Sequence, residues 1–304
     1  RQMCIRDSYY HILYYKTEYK YWSSMKTQNN IAIIGGDTRQ KFLYYELRNQ
    51  GYNIYPFYIE DVNDTHSISE RLPLCNLILF PIPFSKDKIN LYSKISTQIN
   101  IDYLLTLINP CSVICGGCFN NDFISKCNNL NIVTKDLMDI PSFELYNSIA
   151  TAEGTVAEAI CTSPINIHKS HSLVLGYGKC GMALAARLKS LNAITYVAAR
   201  NPVQLSMAYE QGHNPIPLNE LTRHINKFDF IFNTIPSLIL NRNILSNANT
   251  EATIIDIASN PGGTDFEACK HFGITARLCL SLPGKYSPKA SAQIISRCIV
   301  SMLN

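Results

Sequence analysis

A strand, a glycine-rich turn and a helix follow one another directly after Ser172, and this order constrains the fold more than any other feature. The apolar run Leu173–Leu175 leads into Gly176-Tyr-Gly178-Lys-Cys-Gly181, and an apolar-periodic helix over 182–191 and a strand over 194–198 come next. In this context the spacing G-x-G-x-x-G predicts a Rossmann domain that binds a dinucleotide. A purely structural glycine turn is the alternative.

The residues around this turn are the predicted cofactor contacts. The turn and the N-terminus of the following helix would face the phosphates, and the ends of two later strands would face the same crevice. The predicted set is Gly176, Tyr177, Gly178, Lys179, Cys180, Gly181, Arg200, Asn233, Thr234, Ile235, Pro236 and Ser259.

The residue after the second strand of this domain distinguishes NAD from NADP. NAD sites usually carry an acidic residue here, which binds the ribose 2′-hydroxyl. This chain has Ala198-Ala199-Arg200-Asn201, so a guanidinium lies where a 2′-phosphate would bind. The sequence therefore favours NADP as the cofactor. NAD stays possible, because Arg200 could instead stack on the adenine.

Strand and helix signals alternate along most of the chain. Its 304 residues, 46% of them hydrophobic, suffice for two buried cores. Strands are predicted over 31–34, 53–58, 77–80, 113–115, 131–134, 172–175, 194–198, near 215, and over 228–233, 253–256 and 274–278. We therefore predict an α/β protein with two doubly wound parallel-sheet domains. The N-terminal one is flavodoxin-like or Rossmann-like, and the second is an NAD(P)-binding Rossmann domain.

The predicted boundaries divide the chain into five parts. Residues 1–24 are tyrosine-rich, lack a clear period and precede Met25, so we expect a non-native or disordered arm; a native but frayed arm is the alternative. Residues 25–142 form the N-terminal substrate domain, 143–165 a linking helix, and 166–287 the Rossmann domain. Residues 288–304 form a C-terminal helix that packs back across the domain junction. Its predicted apolar stripe is Ala290, Ile294, Ile295, Cys298, Ile299 and Met302.

Composition and spacing argue against several other classes of protein. The net charge of +4 is scattered, which does not suit a nucleic-acid surface, and no apolar run approaches the ~20 residues that span a bilayer. Cys111, Cys115 and Cys118 have a spacing also found in iron–sulfur enzymes. They flank an apolar strand, however, so we predict buried thiols and no metal site. The cysteines lack a disulfide pattern, which favours a cytoplasmic protein.

Six segments together resemble the family of the dipicolinate synthase A subunit of spore-forming bacteria, from Met25 to Asn304. They are Ile34-Gly-Gly-Asp-Thr-Arg-Gln40, Tyr146-Asn-Ser-Ile-Ala-Thr-Ala-Glu-Gly154, Leu175-Gly-Tyr-Gly-Lys-Cys-Gly-Met182, Asn233-Thr-Ile-Pro-Ser237, Asp256-Ile-Ala-Ser-Asn-Pro-Gly-Gly-Thr-Asp265 and Leu282-Pro-Gly-Lys-Tyr-Ser-Pro-Lys289. The resemblance implies oxidation of dihydrodipicolinate to dipicolinate with a nicotinamide cofactor during sporulation. It also implies a partner, the B subunit of dipicolinate synthase, and a location in the mother-cell cytoplasm. We further expect a homo-oligomer.

A dicarboxylate substrate needs separated cations and neutral hydrogen-bond donors. The predicted substrate contacts are Arg39, Asn147, Ser148, Thr151, Lys285 and Lys289, facing a cleft between the domains. Lys285 and Glu153 are the catalytic candidates, with Glu153 as a guessed general base. For Arg39, a solvated position beside a simple tight turn is the alternative.

Two other functions stay open from the sequence. The first is a different dehydrogenase of the same fold, such as a 2-hydroxyacid enzyme, although the loop directly after Asp256 lacks the histidine that those enzymes usually carry. The second is a cofactor-binding subunit whose partner performs the chemistry.

Overall fold

The computed structural model describes residues 30–63, 66–95 and 98–303. The predicted arm over 1–24 therefore lies outside the described residues. The chain divides into two compact units. The first takes the chain up to Phe143 together with the segment from Pro288 onward, and the second is Glu144–Ser287.

The first unit contains a sheet of five parallel strands in the order β2-β1-β3-β4-β5. The strands are β1 (Asn30–Ile34), β2 (Asn53–Phe57), β3 (Leu77–Leu79), β4 (Val113–Gly116) and β5 (Val133–Asp136). Strands β3 and β4 are buried along their whole length, as parallel strands covered on both faces are. The order is the flavodoxin-like one, and the winding reverses direction between β1 and β3.

Four helices connect these strands in the described part of the unit. They are α1 (Thr38–Asn49), α2 (Ile68–Arg71), α3 (Ile101–Leu107) and α4 (Asn121–Asn129). Asn100 and Asn120 cap α3 and α4, because their side-chain oxygens accept hydrogen bonds from the backbone N–H groups of the first turn.

Helix α5 (Pro141–Thr162) contains the boundary between the units, which falls after Phe143. Phe143 belongs to the core of the first unit, whereas Ala152 and Ala159 belong to a core of the second. The helix begins two residues before the predicted linking helix and ends three residues before its predicted end.

The second unit contains six parallel strands in the order β11-β10-β9-β6-β7-β8, which is the Rossmann order. The strands are β6 (His171–Leu175), β7 (Ile194–Ala199), β8 (Asn214–Pro217), β9 (Phe230–Asn233), β10 (Thr253–Asp256) and β11 (Thr275–Leu278). The helices are α6 (Lys179–Ser190), α7 (Pro202–Glu210), α8 (Leu221–His224), α9 (Arg242–Leu245), α10 (Phe266–Phe272) and α11 (Leu282–Tyr286). Single 3₁₀ turns lie at Leu72–Leu74 and Leu137–Asp139 in the first unit, and at Leu218–Glu220 and Ile225–Lys227 in the second.

The C-terminal helix α12 (Pro288–Leu303) belongs to the first unit and shares its core with α1. Its buried face is Ser291, Ala292, Ile295, Ser296, Ile299 and Leu303. The predicted stripe is therefore partly wrong, since Ala290 is exposed. Ser296 accounts for part of the difference: its hydroxyl lies 3.2 Å from the Gln50 amide, so a polar residue occupies the packed face.

The predicted fold class is confirmed: the chain forms two α/β sheets, each with all strands parallel. Within the part of the chain that is described, no helix has both the length and the apolar character needed to cross a membrane.

Candidate functional sites

The glycine turn lies where the winding of the second sheet reverses, between β6 and β9. Gly176 has φ +90°, a conformation that side chains with a Cβ rarely adopt. A Cβ at this position would also meet the Thr234 hydroxyl and, at 2.9 Å, a methylene of Ile235. The turn therefore requires glycine at 176.

The other two glycines of the motif have opposite surroundings. A Cβ on Gly181 would collide with the backbone oxygen of Gly176, so this glycine allows α6 to approach the strand closely. A Cβ on Gly178 would meet nothing within 4 Å. The space beside Gly178 is thus open, and a ligand could reach the backbone there.

The N-terminus of α6 presents free backbone donors beside this open space. Met182 makes the first backbone hydrogen bond of the helix, to the Gly178 carbonyl. Gly178 provides no side-chain cap, and no acidic residue lies in the first turn. The N–H groups of Lys179, Cys180 and Gly181 therefore have no acceptor within the helix, which is the arrangement that binds anions.

Asp256 organises the loop that follows β10. Its carboxylate is fully buried and accepts hydrogen bonds from the Ala258 and Gly263 backbones, from the Thr264 hydroxyl at 2.7 Å and from the Asn233 amide at 3.0 Å. Strands β9 and β10 are thereby joined at their carboxyl ends. The exposed Ser259 lies in the loop that Asp256 holds.

Several predicted cofactor residues are engaged within the protein. Asn233 is buried, and its amide binds Asp256 and the Ile235 backbone. The Thr234 hydroxyl donates to the Leu175 carbonyl at 2.8 Å, and the Tyr177 ring lies in the core. The structure therefore gives these side chains a role in holding the loops.

Arg200 follows β7 directly and is exposed. Among the described residues, no side chain forms an ion pair or hydrogen bond with it. The next residue, Asn201, caps α7 by accepting a hydrogen bond from Val203 at 2.9 Å. The guanidinium is thus on the surface at the carboxyl end of β7, as its predicted role requires.

The Lys179 ammonium is paired with the Glu144 carboxylate of α5. Both side chains are partly exposed. Beside them, burial raises the pKa of the Cys180 thiol, and the Glu144 charge raises it further. A carboxylate therefore lies near the end of α6 that presents the free donors.

The first unit has a buried ion pair where its own sheet reverses, between β1 and β3. Asp37 follows Gly35-Gly36 and caps α1, and its carboxylate accepts two hydrogen bonds from the Arg39 guanidinium, at 2.9 and 2.8 Å. Arg39 also donates to the Ile82 carbonyl in the loop after β3. Its side chain is only 3% exposed, so the sequence alternative of a solvated Arg39 is wrong.

The predicted role of Arg39 as a free carboxylate ligand also needs correction. Its charge is balanced by Asp37, so a substrate carboxylate would have to share the guanidinium. Tyr92 lies near the pair, and its pKa is raised by burial first and then by the Asp37 charge.

The neutral donors predicted on α5 are also engaged. The Ser148 hydroxyl donates to the Leu145 carbonyl, and the Thr151 hydroxyl donates to the Asn147 carbonyl. Serine and threonine hydroxyls in helices commonly donate to a backbone carbonyl three or four residues earlier. Neither hydroxyl proton is free for a substrate, which corrects the prediction for both residues.

Lys285 forms an ion pair with Glu158 of α5, and Arg277 lies 3.8 Å from the same carboxylate. Burial alone would raise the pKa of Glu158, but hydrogen bonds from Lys285 and Tyr286 outweigh it, so the pKa lies below its usual value. Lys285 thus fastens α11 to α5, which does not suit a free catalytic lysine. Lys289 is exposed and has no partner among the described residues.

Glu153, the guessed general base, is 58% exposed and pairs with Arg187 at 3.0 Å. A general base needs an available carboxylate near a substrate, so this surface pair does not support that role.

The described cysteines, histidines and carboxylates form no group of three that could hold a metal ion. Cys115 is buried in β4, and burial raises the pKa of its thiol to about 12. Cys111 and Cys118 are exposed before and after this strand, so the prediction of buried thiols is wrong for these two.

Sequence reasoning missed Asp37, Glu144, Glu158 and Asp256 as site-shaping residues. Only Asp37 had a local signal, since an aspartate three residues before Gln40 matches a capping box. Glu144 and Glu158 act on partners that are distant in the sequence, and Asp256 joins its own loop to the distant Asn233.

Comparisons with known proteins agree with this architecture. The model of the N-terminal domain of the dipicolinate synthase A subunit matches residues 30–138. The dipicolinate synthase A subunit of Bacillus subtilis (strain 168) is 31% identical over 92% of this chain and 97% of that protein. The crystal structure of the dipicolinate synthase A subunit from Bacillus halodurans has a TM-score of 0.84 and 29% identity, covering 92% of this chain and 99% of that one. A transhydrogenase from Sinorhizobium meliloti shares the fold, with a TM-score of 0.65 and 12% identity over 91% of this chain and 92% of that one.

The Asp37–Arg39 pair is expected to be essential for the stability of the first unit. Arg39→Ala leaves a buried carboxylate without its partner, so it should lower the free energy of unfolding by about 3–5 kcal/mol. The matched control is Lys41→Ala on the same helix, whose pair with Asp61 is at the surface and should matter little. Urea denaturation of both variants measures the difference. Equal stabilities for the two variants would contradict the structural role of Arg39.

Proposed function

The chain belongs to the family of the dipicolinate synthase A subunit, and we propose that it is an NAD(P)-dependent oxidoreductase that converts dihydrodipicolinate to dipicolinate. The proposal includes NADP as the preferred cofactor, the B subunit of dipicolinate synthase as partner and a role in sporulation. The name of the Bacillus subtilis relative, which marks it as one subunit of an enzyme, supports the existence of that partner.

The observation that supports the cofactor most directly is the pair of opposite glycine environments. Gly181 closes the gap between strand and helix, while Gly178 leaves the backbone open beside free N–H groups. These are the requirements of a pyrophosphate that approaches a helix N-terminus. A turn that served only the fold would have no need for the open side at 178.

The reaction depends more on the orientation of the substrate against the nicotinamide than on strong acid or base catalysis. Aromatising a dihydropyridine removes one hydride and one proton. When bound, the nicotinamide would supply the hydride acceptor, and water can take the proton. The protein must hold the substrate ring and neutralise two carboxylates.

We assign one carboxylate of the substrate to Lys289, in the first unit. Lys289 is exposed and unpaired among the described residues, whereas Arg39 is buried and its charge is already balanced by Asp37. Lys285 is less suitable, because Glu158 already balances its charge.

Alanine substitutions at the two glycines should separate folding from cofactor binding. Gly181→Ala should lower the free energy of unfolding by about 1–3 kcal/mol, because its Cβ meets backbone. Gly178→Ala should fold normally but bind NADPH at least about tenfold more weakly, because its Cβ fills the space that the pyrophosphate needs. Thermal melting and nicotinamide fluorescence titration measure the two effects. Unchanged NADPH affinity in folded Gly178→Ala would argue against this cofactor site.

Arg200 should determine the choice between the two cofactors. A charge-assisted hydrogen bond to the 2′-phosphate is worth about 1.5–3 kcal/mol, so NADPH should bind roughly tenfold or more tightly than NADH. Arg200→Asp should reverse the order of the two affinities. The same titration measures this. Equal affinities in the unsubstituted protein would remove the argument for NADP.

The activity itself is tested with the purified chain, alone and with the partner subunit from the same organism. We expect dihydrodipicolinate-dependent reduction of the cofactor, and no turnover of 2-hydroxyacids. Lys289→Ala should raise the KM for dihydrodipicolinate and leave NADPH affinity nearly unchanged. Turnover by the partner subunit alone would contradict a catalytic role for this chain.

A further inference from the structure

Glu144 and Lys179 form an ion pair beside the open space of the glycine turn. Lys179 is the first residue of α6 and directly follows Gly178. Glu144 lies in the first turn of α5, and its carboxylate accepts a hydrogen bond from the Lys179 ammonium. The side chains are 37% and 41% exposed, so the pair is accessible to a ligand.

This pair balances the charge of Lys179 at the end of α6 that is otherwise suited to binding anions. The N–H groups at the start of α6 are free, and the nearest ammonium would add a positive charge for a phosphate. The charge of that ammonium is instead balanced by the Glu144 carboxylate. The negative charge of Glu144 also reaches the turn, because it adds to burial, the larger cause, in raising the pKa of the neighbouring Cys180 thiol.

We infer that Glu144 competes with the cofactor pyrophosphate for Lys179 and thereby lowers the affinity for the dinucleotide. The inference rests on the proposed dinucleotide binding. Binding would exchange the Glu144 carboxylate for a phosphate as the partner of Lys179. Glu144 is thus a residue that sets cofactor affinity without contacting the cofactor.

A second pair on the same two helices provides a matched control. Glu153 of α5 binds Arg187 of α6 at 3.0 Å, and Arg187 also donates to the Ala183 carbonyl. This pair lies about two turns further along α6, away from the glycine turn. Like the Glu144–Lys179 pair, it joins a glutamate of α5 to a cation of α6, but it does not lie beside the open space.

The size of the effect follows from the exposure of the pair. Partly exposed ion pairs are weak, so exchanging one partner for another shifts affinity only modestly. We expect Glu144→Gln to bind NADPH about two- to fivefold more tightly than the unsubstituted protein. Glu153→Gln should bind NADPH like the unsubstituted protein. Lys179→Met should bind it more weakly.

Salt and a double variant distinguish competition from a structural effect. The gain in Glu144→Gln should shrink toward one as NaCl rises from about 0.05 M to about 0.5 M, because screening weakens exposed charge interactions. In a Lys179→Met background, Glu144→Gln should give less than about half of that gain. A structural change in the turn would give a gain that neither salt nor Lys179→Met alters.

The experiment is a fluorescence titration of each full-length variant with NADPH and NADH, with melting temperatures to confirm folding. Weaker binding in Glu144→Gln would overturn the inference, because Glu144 would then position Lys179 for the phosphate. Equal binding in Glu144→Gln and Glu153→Gln, or an undiminished gain in the Lys179→Met background, would also overturn it. Failure of the unsubstituted protein to bind either nucleotide would instead refute the proposed function.

Discussion

The buried Asp256 carboxylate is the interaction on which the candidate cofactor site depends. It accepts four hydrogen bonds, and its donors come from the end of β9 and from its own loop over 258–264. A carboxylate has two oxygens with about four acceptor sites, whereas a neutral amide has a single acceptor oxygen with two and could not accept all four bonds. Through Asn233 it also fixes the Ile235 backbone, and Ile235 and Thr234 surround Gly176. The shape of the glycine turn is therefore set in part by a residue that is distant in the sequence.

The two units treat the same topological feature differently. In each sheet the winding reverses between two central strands, which leaves a crevice at their carboxyl ends. In the second unit this crevice has glycines, backbone donors and short side chains. In the first unit the Arg39 side chain runs from Asp37 to the Ile82 carbonyl across the equivalent position. One crevice is open to an anion, whereas the other contains a balanced charge pair.

Much of the fold could be predicted from the sequence, because the signals of parallel sheets are local. The buried strands are short apolar runs ended by glycine or polar residues, β10 has the bounds that the pattern predicts, and α12 begins at the predicted residue. The turn glycines could be predicted for the same reason. The buried face of α12 could not, because it includes the polar residues Ser291 and Ser296, and Ser296 contacts Gln50, which is distant in the sequence.

The site residues were harder to predict, because a cation in the sequence does not reveal its partner. Arg39, Lys179 and Lys285 all suggested binding of anions, yet each is paired with a carboxylate of the chain. The burial of each pair determines whether its cation can exchange the carboxylate for a ligand. The Asp37–Arg39 pair is buried and bidentate, so its partners cannot exchange without a large cost in stability. The Glu144–Lys179 pair is partly exposed and can exchange at little cost. Cations of the first kind fix geometry, and cations of the second kind can respond to a ligand. Arg200 and Lys289 are of a third kind, with no partner among the described residues, and an anion can bind them without displacing anything.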